Sequence, residues 1–462
     1  MHHAAHGGNR NMTEGSCLGH ITAFAVPLFI GSLLQQLYNL VDSWVVGRYV
    51  GDSALAAVGV GFLVIFFFTS LFMGISTGTT VVIAQFYGAG KTDRVRDAAD
   101  TAYASMLILV VPLTIASILL VDPLLALLRV EEAALADART YLVIVCAGLI
   151  GTVGYNTNAG ILQGLGNSRT SLLFLAISAI LNIIGDLFTV LVLGMGVEGV
   201  AYATVFAQLA SWIFGIFYIN RIYPEIRIRL HLHIDRALLR RIMGIGLPAG
   251  LQMASIALGS IAVMSKIDSY GLEFAAGYNV GHKLDHMGFL PVQAVATAAT
   301  AFIGQNIGAG RHDRVRQGTI VSLTLAIAWS ALIAAVMIPL RHTLVGFFSE
   351  NPVVIEAGAV YLFCVLLFYP VFALMFCINN ILRGAGSSVV PMVVALIAQI
   401  GVRVPSVYLL ANLYGKEYMY YGFGVGWVVA NLIVVPYFLS GRWKKLKSVV
   451  QMDDAGEEDL LE

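Results

Sequence analysis

Twelve apolar runs of about 20 residues, joined by short gaps, constrain this chain of 462 residues more than anything else in it. They cover residues 21–46, 53–79, 100–121, 138–160, 170–193, 197–219, 243–265, 274–302, 318–340, 355–380, 388–410 and 421–440. A run of this length lets a helix cross hydrocarbon with every backbone group bonded internally. The longest gap, Asn220 to Ile242, is too short for a folded extramembrane domain. The expected fold is therefore an all-α membrane protein with twelve transmembrane helices. Composition agrees: 58% of residues are hydrophobic and 12% charged, against about 25% charged in soluble chains. The first run is too long for a cleavable signal and lacks a small-residue cleavage pattern.

The chain repeats itself. Gly88-Ala-Gly-Lys-Thr-Asp-Arg-Val-Arg96 recurs as Gly308-Ala-Gly-Arg-His-Asp-Arg-Val-Arg316, and Ile161-Leu-Gln-Gly-Leu-Gly166 recurs as Ile381-Leu-Arg-Gly-Ala-Gly386. Gly51, Ala56, Gly61, Gln85 and Tyr141 each have an identical partner 220 positions later. Six spans per half is an even number, so both halves enter from one side. The expectation is two six-helix repeats about a pseudo-twofold axis along the membrane normal, with substrate bound between them. The boundaries expected are an N-terminal segment 1–20, an N-lobe 21–219, a linker 220–242, a C-lobe 243–440 and a tail 441–462.

Basic residues set the orientation. With the N-terminus inside, 19 Lys and Arg fall in inside segments and 5 in outside loops. The inside set includes Arg10, Arg229, and the clusters Lys91, Arg94, Arg96 and Arg311, Arg314, Arg316; the outside set includes Arg129. Both termini are expected in the cytoplasm of a cell-membrane protein, with the two clusters near anionic lipid head groups. Zero net charge gives no case for nucleic acid. His2, His3 and His6 read as a disordered tail, and the four cysteines have no metal-type or disulfide spacing.

No nucleotide motif is complete. Gly90-Lys91-Thr92 lacks the earlier glycine of a phosphate loop, since position 85 is Gln, and Gly164-Leu-Gly166 is followed by Arg169. Transport must then draw on an ion gradient or be passive. Gly74-x-x-x-Gly78 reads as internal helix packing.

Ionisable groups inside spans are costly and therefore functional candidates. Gln35, Tyr38, Asn39 and Asp42 fall on one face of the first helix; Asn182 and Asp186 share a face of the fifth. Thr204, on the inward-running sixth, lies at a similar level in the outer half. Two carboxylates, an amide and a hydroxyl could converge there on a hard cation or a proton. Two adjacent carboxylates do not both ionise easily in a low dielectric, so the pair calls for one or the other. At the 220-residue offset, Asp42, Asn182 and Asp186 correspond to Ala262, Val402 and Ser406. The acids are thus not duplicated with the scaffold, which favours a specific site. In the second half, His282, Asp285 and His286 share a face of the eighth span, with Lys266 and Lys283 as candidate partners. They form either a second proton or cation site or an internal ion pair. Asn158 is a further candidate to line the cavity.

Order and spacing of these features resemble the MATE (multidrug and toxic compound extrusion) family over nearly the whole length. Asn39-Leu-Val-Asp42 with Gly47 looks like the first MATE helix, Leu181-Asn-Ile-Ile-Gly-Asp186 like the fifth, and Gly199-Val-Ala-Tyr-Ala-Thr204 like the start of the sixth. The pattern is similar to the DinF-like branch, whose N-lobe acidic site maps onto Asp42, Asn182, Asp186 and Thr204. The NorM-like branch uses C-lobe acids, including on helix seven, which here has none in its interior. The resemblance also implies bending of helix one at Pro27. It implies antiport of small, often cationic or amphipathic organic compounds against H+ or Na+, with no cofactor and no catalytic residues. A monomer is expected. The rivals are a lipid-linked precursor flippase, to which twelve spans and an acidic first lobe are unfavourable, and a membrane enzyme built on His282, Asp285 and His286.

Overall fold

The computed structural model describes residues 11–128, 130, 132–228 and 234–455. His2, His3, His6, Arg10, Arg129 and Arg229 lie outside them. Among the described residues the chain is helical throughout, with no strand. In the first half run α1 (Cys17–Val45), α2 (Asp52–Gly88), α3 (Thr92–Leu127), α4 (Glu132–Ala147), α5 (Leu149–Gly164), α6 (Ser168–Leu187) and α7 (Val197–Ile222). In the second run α8 (Arg236–Asp268), α9 (Leu272–Gly308), α10 (His312–Gly346), α11 (Pro352–Leu366), α12 (Tyr369–Gly384), α13 (Val389–Leu396), α14 (Val404–Leu413), α15 (Tyr421–Leu439) and the short α16 (Val449–Asp454). Wide π turns continue α1 (Val46–Val50) and α6 (Phe188–Val192) and join α13 to α14 (Ile397–Arg403).

Ten helical stretches among the described residues are long and apolar enough to cross a membrane, or twelve when each of two bent pairs counts as one span. Counted in that way the expected twelve spans are present, two of them bent. Residues 138–160 bend by 50° between α4 and α5, and 355–380 by 55° between α11 and α12. The first break falls at Gly148, which passes so close to α7 that a Cβ would lie 2.3 Å from the Val205 side chain. The second, 220 positions later, precedes Pro370, which has no N–H to carry the α11 ladder onward.

The repeat is visible in contacts as well as letters. The Thr80 hydroxyl donates to the Gly160 carbonyl at 3.0 Å, and its partner Thr300 donates to the Asn380 carbonyl at 3.0 Å. A Cβ on Gly61 would meet the Tyr141 ring at 2.7 Å, and one on Gly281 would meet the Tyr361 ring at 2.7 Å. Gly90 (φ 73°) and Gly310 (φ 68°) turn the chain after α2 and α9 in the left-handed region that glycine tolerates.

Two compact units divide the chain, and their borders differ from the lobes expected from sequence. One contains Ile30–Gly250 with the segment from Met452; the other contains Met12–Phe29 and Leu251–Gln451. Two of the borders cut a helix just past a proline: Pro27 in α1 and Pro248 in α8. In the first unit, α8 up to Gly250 crosses α2 at glycine contact. A Cβ on Gly74 would lie 2.3 Å from the Gly250 nitrogen, and one on Gly78 would lie 2.3 Å from the Ile242 carbonyl. The Gly74-x-x-x-Gly78 pattern is thus internal packing, against Gly246-x-x-x-Gly250. In the second unit, Ile21, Phe24 and Ala25 of α1 join the core cluster that holds Ala294 and Ala298, the counterparts of Gly74 and Gly78.

Two segments, Met12–Gly15 and α16, are docked on members of the basic clusters. Arg314 is buried and donates to the Met12 and Gly15 carbonyls at 2.9 and 2.7 Å. Its repeat partner Arg94 pairs with Asp453 and with Asp235, the latter at 3.1 Å; Arg241 reaches Asp453 at 3.1 Å, and Lys91 pairs with Asp454. Arg314, Arg94, Arg241 and Lys91 thus bond to the protein's own carbonyls and acids. Asp235 also caps α8, accepting from Ala237 N–H at 2.9 Å and Leu238 N–H at 3.1 Å. Partial burial opposes its ionisation, but these two bonds and the Arg94 guanidinium outweigh it and hold the carboxyl below the usual range.

Candidate functional site

In the first unit, α6 and α7 run close together: a Cβ on Gly185 would lie 2.9 Å from that of Ala203. This approach puts Asn182 against Thr204, with Nδ2 donating to Oγ1 at 3.3 Å. One turn on, Asp186 is completely buried and faces Asp42 of α1 at interaction distance. Tyr38, one turn before Asp42, and Tyr141 of α4 both lie in electrostatic reach of the two carboxyls. Gln35 is exposed and Asn39 half-buried.

Hydrogen-bond accounting marks this cluster. The buried oxygens Asp42 Oδ1, Asp186 Oδ1 and Oδ2, and Asn182 Oδ1 have no donor among the described residues. Three of the four belong to the facing carboxyls, and the fourth lies one turn away on α6. Unpaired buried acceptors cost about 1–3 kcal/mol each, so the arrangement is suited to a proton or a hard cation held between oxygens. Asn158 does not belong to it. It is fully buried, donates to the Trp212 carbonyl at 3.0 Å and accepts from the Tyr103 hydroxyl, so it ties α5 to α7 and α3 instead of lining an open cavity.

The second unit departs from expectation. Lys266 does not pair with Asp285; its ammonium donates to Asn412 Oδ1 at 3.0 Å and lies over the Tyr270 and Tyr408 rings. Lys283 is exposed. Asp285 instead accepts from the Tyr361 hydroxyl at 3.0 Å and from the Tyr369 hydroxyl. The charge in its reach is Arg403, a residue that the candidate set read from the sequence did not include. Its position amid the apolar run 388–410 was the available signal. His282 and His286 are exposed on the Asp285 face of α9, with His282 stacked on Tyr278 at 5.6 Å.

Two repeats of membrane-length helices, with broken spans and unpaired carboxylates buried in one repeat, define a secondary-transporter fold. The MatE family profile matches residues 27–188 and 248–409, beginning on a proline in each half. At this register, 221 residues apart, Asp42 would face Val263 rather than Ala262, and neither is acidic. The chain is 31% identical to the probable multidrug resistance protein YpnP of Bacillus subtilis, covering 95% of this chain and 98% of that one. It is 26% identical to the probable multidrug resistance protein NorM of Thermotoga maritima, over 91% of this chain and 92% of the relative. Among solved structures it is similar to an outward-facing multidrug resistance MATE family transporter (TM-score 0.87, 23% identity, 95% of this chain and 99% of the other). The chain belongs to the MATE family; it is a multi-pass membrane transporter, not an enzyme.

Proposed function

We propose that this protein is an ion-coupled antiporter that exports small organic, cationic or amphipathic compounds across the cell membrane by alternating access. Asp42 and Asp186 are its coupling pair, and Asn182 and Thr204 position them. The observation that carries this reading is the facing pair Asp42 and Asp186, with Asn182 one turn before Asp186, whose buried oxygens have no donor among the described residues. H+ or Na+ arriving there removes the repulsion between the carboxylates. Neutralising an intramembrane charge is worth on the order of 3 kcal/mol, enough to shift two conformations separated by a few kcal/mol.

Pro27 supplies the place for α1 to yield. It leaves the Ala23 carbonyl without its i+4 partner, and the boundary between the two compact units follows between Phe29 and Ile30. Related MATE structures exist in bent (TM-score 0.86) and straight (TM-score 0.87) conformations, which fits a bending element in the fold. Relatives named for multidrug resistance support organic cargo.

The test is substrate uptake into everted membrane vesicles under separately imposed pH and sodium gradients. One gradient or both should drive uptake by the wild type, and Asp42→Asn should abolish it at matched expression. Full gradient-driven uptake by Asp42→Asn would exclude this pair as the coupling site.

A further inference from the structure

The second unit carries a cavity of about 230 Å³ lined by Arg341, Glu356, Phe363, Glu417, Tyr418 and Tyr421, none of them part of the coupling site. Its level in the membrane follows from the chain. Arg341 directly follows the apolar run 318–340, and Glu356 is the second residue of run 355–380. Glu417 and Tyr418 fall between runs 388–410 and 421–440, and Tyr421 opens the latter. Each lining element enters or leaves hydrocarbon here, so the cavity sits at the head-group level, at the end of α10 remote from the Gly310 turn. Tyr418 and its neighbour Tyr414 are exposed, with the amphipathic rings that collect at this boundary.

The cavity holds charges of both signs that do not pair with each other. The Arg341 guanidinium donates to the Ile338 carbonyl at 2.8 Å and lies 5.4 Å from the centre of the Phe363 ring, with no carboxylate at ion-pair distance among the described residues. Glu417 has no cation partner among them either, since neighbouring Lys416 lies over the Phe274 ring instead. Glu356 meets the His342 ring at 3.2 Å, a cation only when protonated. A guanidinium and two carboxylates that share a cavity without pairing are suited to a ligand that brings its own phosphate and its own ammonium. The scaffold does not require them: at the 220-residue offset Arg341, Glu356 and Glu417 correspond to Val121, Ala136 and Val197. An apolar track continues from the cavity, with Val336 and Leu340 of α10 and Phe363 and Leu367 of α11 exposed.

We propose that this cavity is a head-group site for phosphatidylethanolamine. Arg341 takes the phosphate, Glu417 and Glu356 take the primary ammonium, and the exposed track takes an acyl chain. That track, at the membrane boundary, favours a lipid over a soluble zwitterion of the same chemistry. The site needs neither the coupling pair nor a transported substrate, so it stands or falls separately from the export reading.

The probes are phosphatidylethanolamine, phosphatidylcholine and phosphatidylglycerol with matched acyl chains, titrated singly onto detergent-purified protein and read by native mass spectrometry. Wild type should bind phosphatidylethanolamine about fivefold more tightly than phosphatidylglycerol, which has no ammonium; this is the upper range for one exposed ion pair. It should also prefer it to phosphatidylcholine, whose methylated ammonium has no proton to donate. Glu356→Gln with Glu417→Gln should bring phosphatidylethanolamine down to the affinity of phosphatidylglycerol, and Arg341→Gln should weaken both lipids alike. Glu417→Gln alone, at an exposed carboxylate with no partner to lose, keeps the test open if the double variant misfolds, and should show part of the same selective loss. Equal wild-type affinity for the three lipids, or a preference left intact by the folded glutamine variants, would overturn the site. Glycerophosphoethanolamine, the same head group without chains, separates the other source. Its failure to displace phosphatidylethanolamine supports a lipid site. Displacement at comparable concentration would make the occupant a soluble zwitterion and overturn the proposal.

Discussion

Asp186→Asn should make the protein more stable and useless as an antiporter. Asp186 is completely buried, and both its carboxyl oxygens lack a donor, as does Asp42 Oδ1 beside it. The substitution removes one of two facing charges and places an amide donor where Asp42 can accept it. A hydrogen bond to a charged group contributes about 1.5–3 kcal/mol, and relief of an unpaired acceptor about 1–3 kcal/mol. These overlap rather than add, so the net gain expected is roughly 2 kcal/mol. The assay is thermal unfolding of purified protein in detergent, with sodium replaced by potassium in a parallel series. Wild-type protein should be stabilised by the ion it couples to, because a ligand of the folded state shifts the equilibrium by mass action. Asp186→Asn should start higher and lose that ion response. Gradient-driven uptake in vesicles should be lost with it, and Asp42→Asn with Asp186→Asn should be no worse than either alone. A less stable Asp186→Asn that still exports would refute the reasoning, since the pair would then be a structural contact.

Gly78→Ala should cost more than about 2 kcal/mol, because its Cβ would lie 2.3 Å from the Ile242 carbonyl, while Gly244→Ala, with open space around it, should gain about 0.5–1 kcal/mol; thermal melts of both variants check this. Asp453→Asn should free α16, since Asp453 is 14% exposed and serves both Arg94 and Arg241, whereas Asp454→Asn, at a carboxylate 65% exposed, should change little; hydrogen–deuterium exchange of residues 449–454 reads the difference. The Asp235 carboxyl is held below its ordinary range, so its stabilisation is present at neutral pH and is lost as pH falls through that depressed value. The melting difference between wild type and Asp235→Ala should therefore be largest near neutrality and close in acid; a difference that widens in acid would reverse the sign of the argument.

The membrane class, the repeat and the two groups of intramembrane acids were legible in the sequence because each rests on local rules. Hydrocarbon thickness sets the length of an apolar run, and helical spacing puts Asn182 and Asp186, or His282 and Asp285, on one face. What the spacing could not carry was everything that depends on which distant segment arrives beside it. Lys266 directly follows one apolar run and Arg403 lies inside another, and only the packing of the second unit sends Lys266 to Asn412 and brings Arg403 within reach of Asp285. Asn158 reads as polar and cavity-lining until Tyr103 and Trp212, 55 and 54 residues away, close on it. The breaks at Gly148 and before Pro370, and the docking of Met12–Gly15 on Arg314 and of α16 on Arg94, were likewise decided by tertiary contact. A helix can form on its own sequence, but a buried charge or amide is satisfied only by whatever the fold places against it.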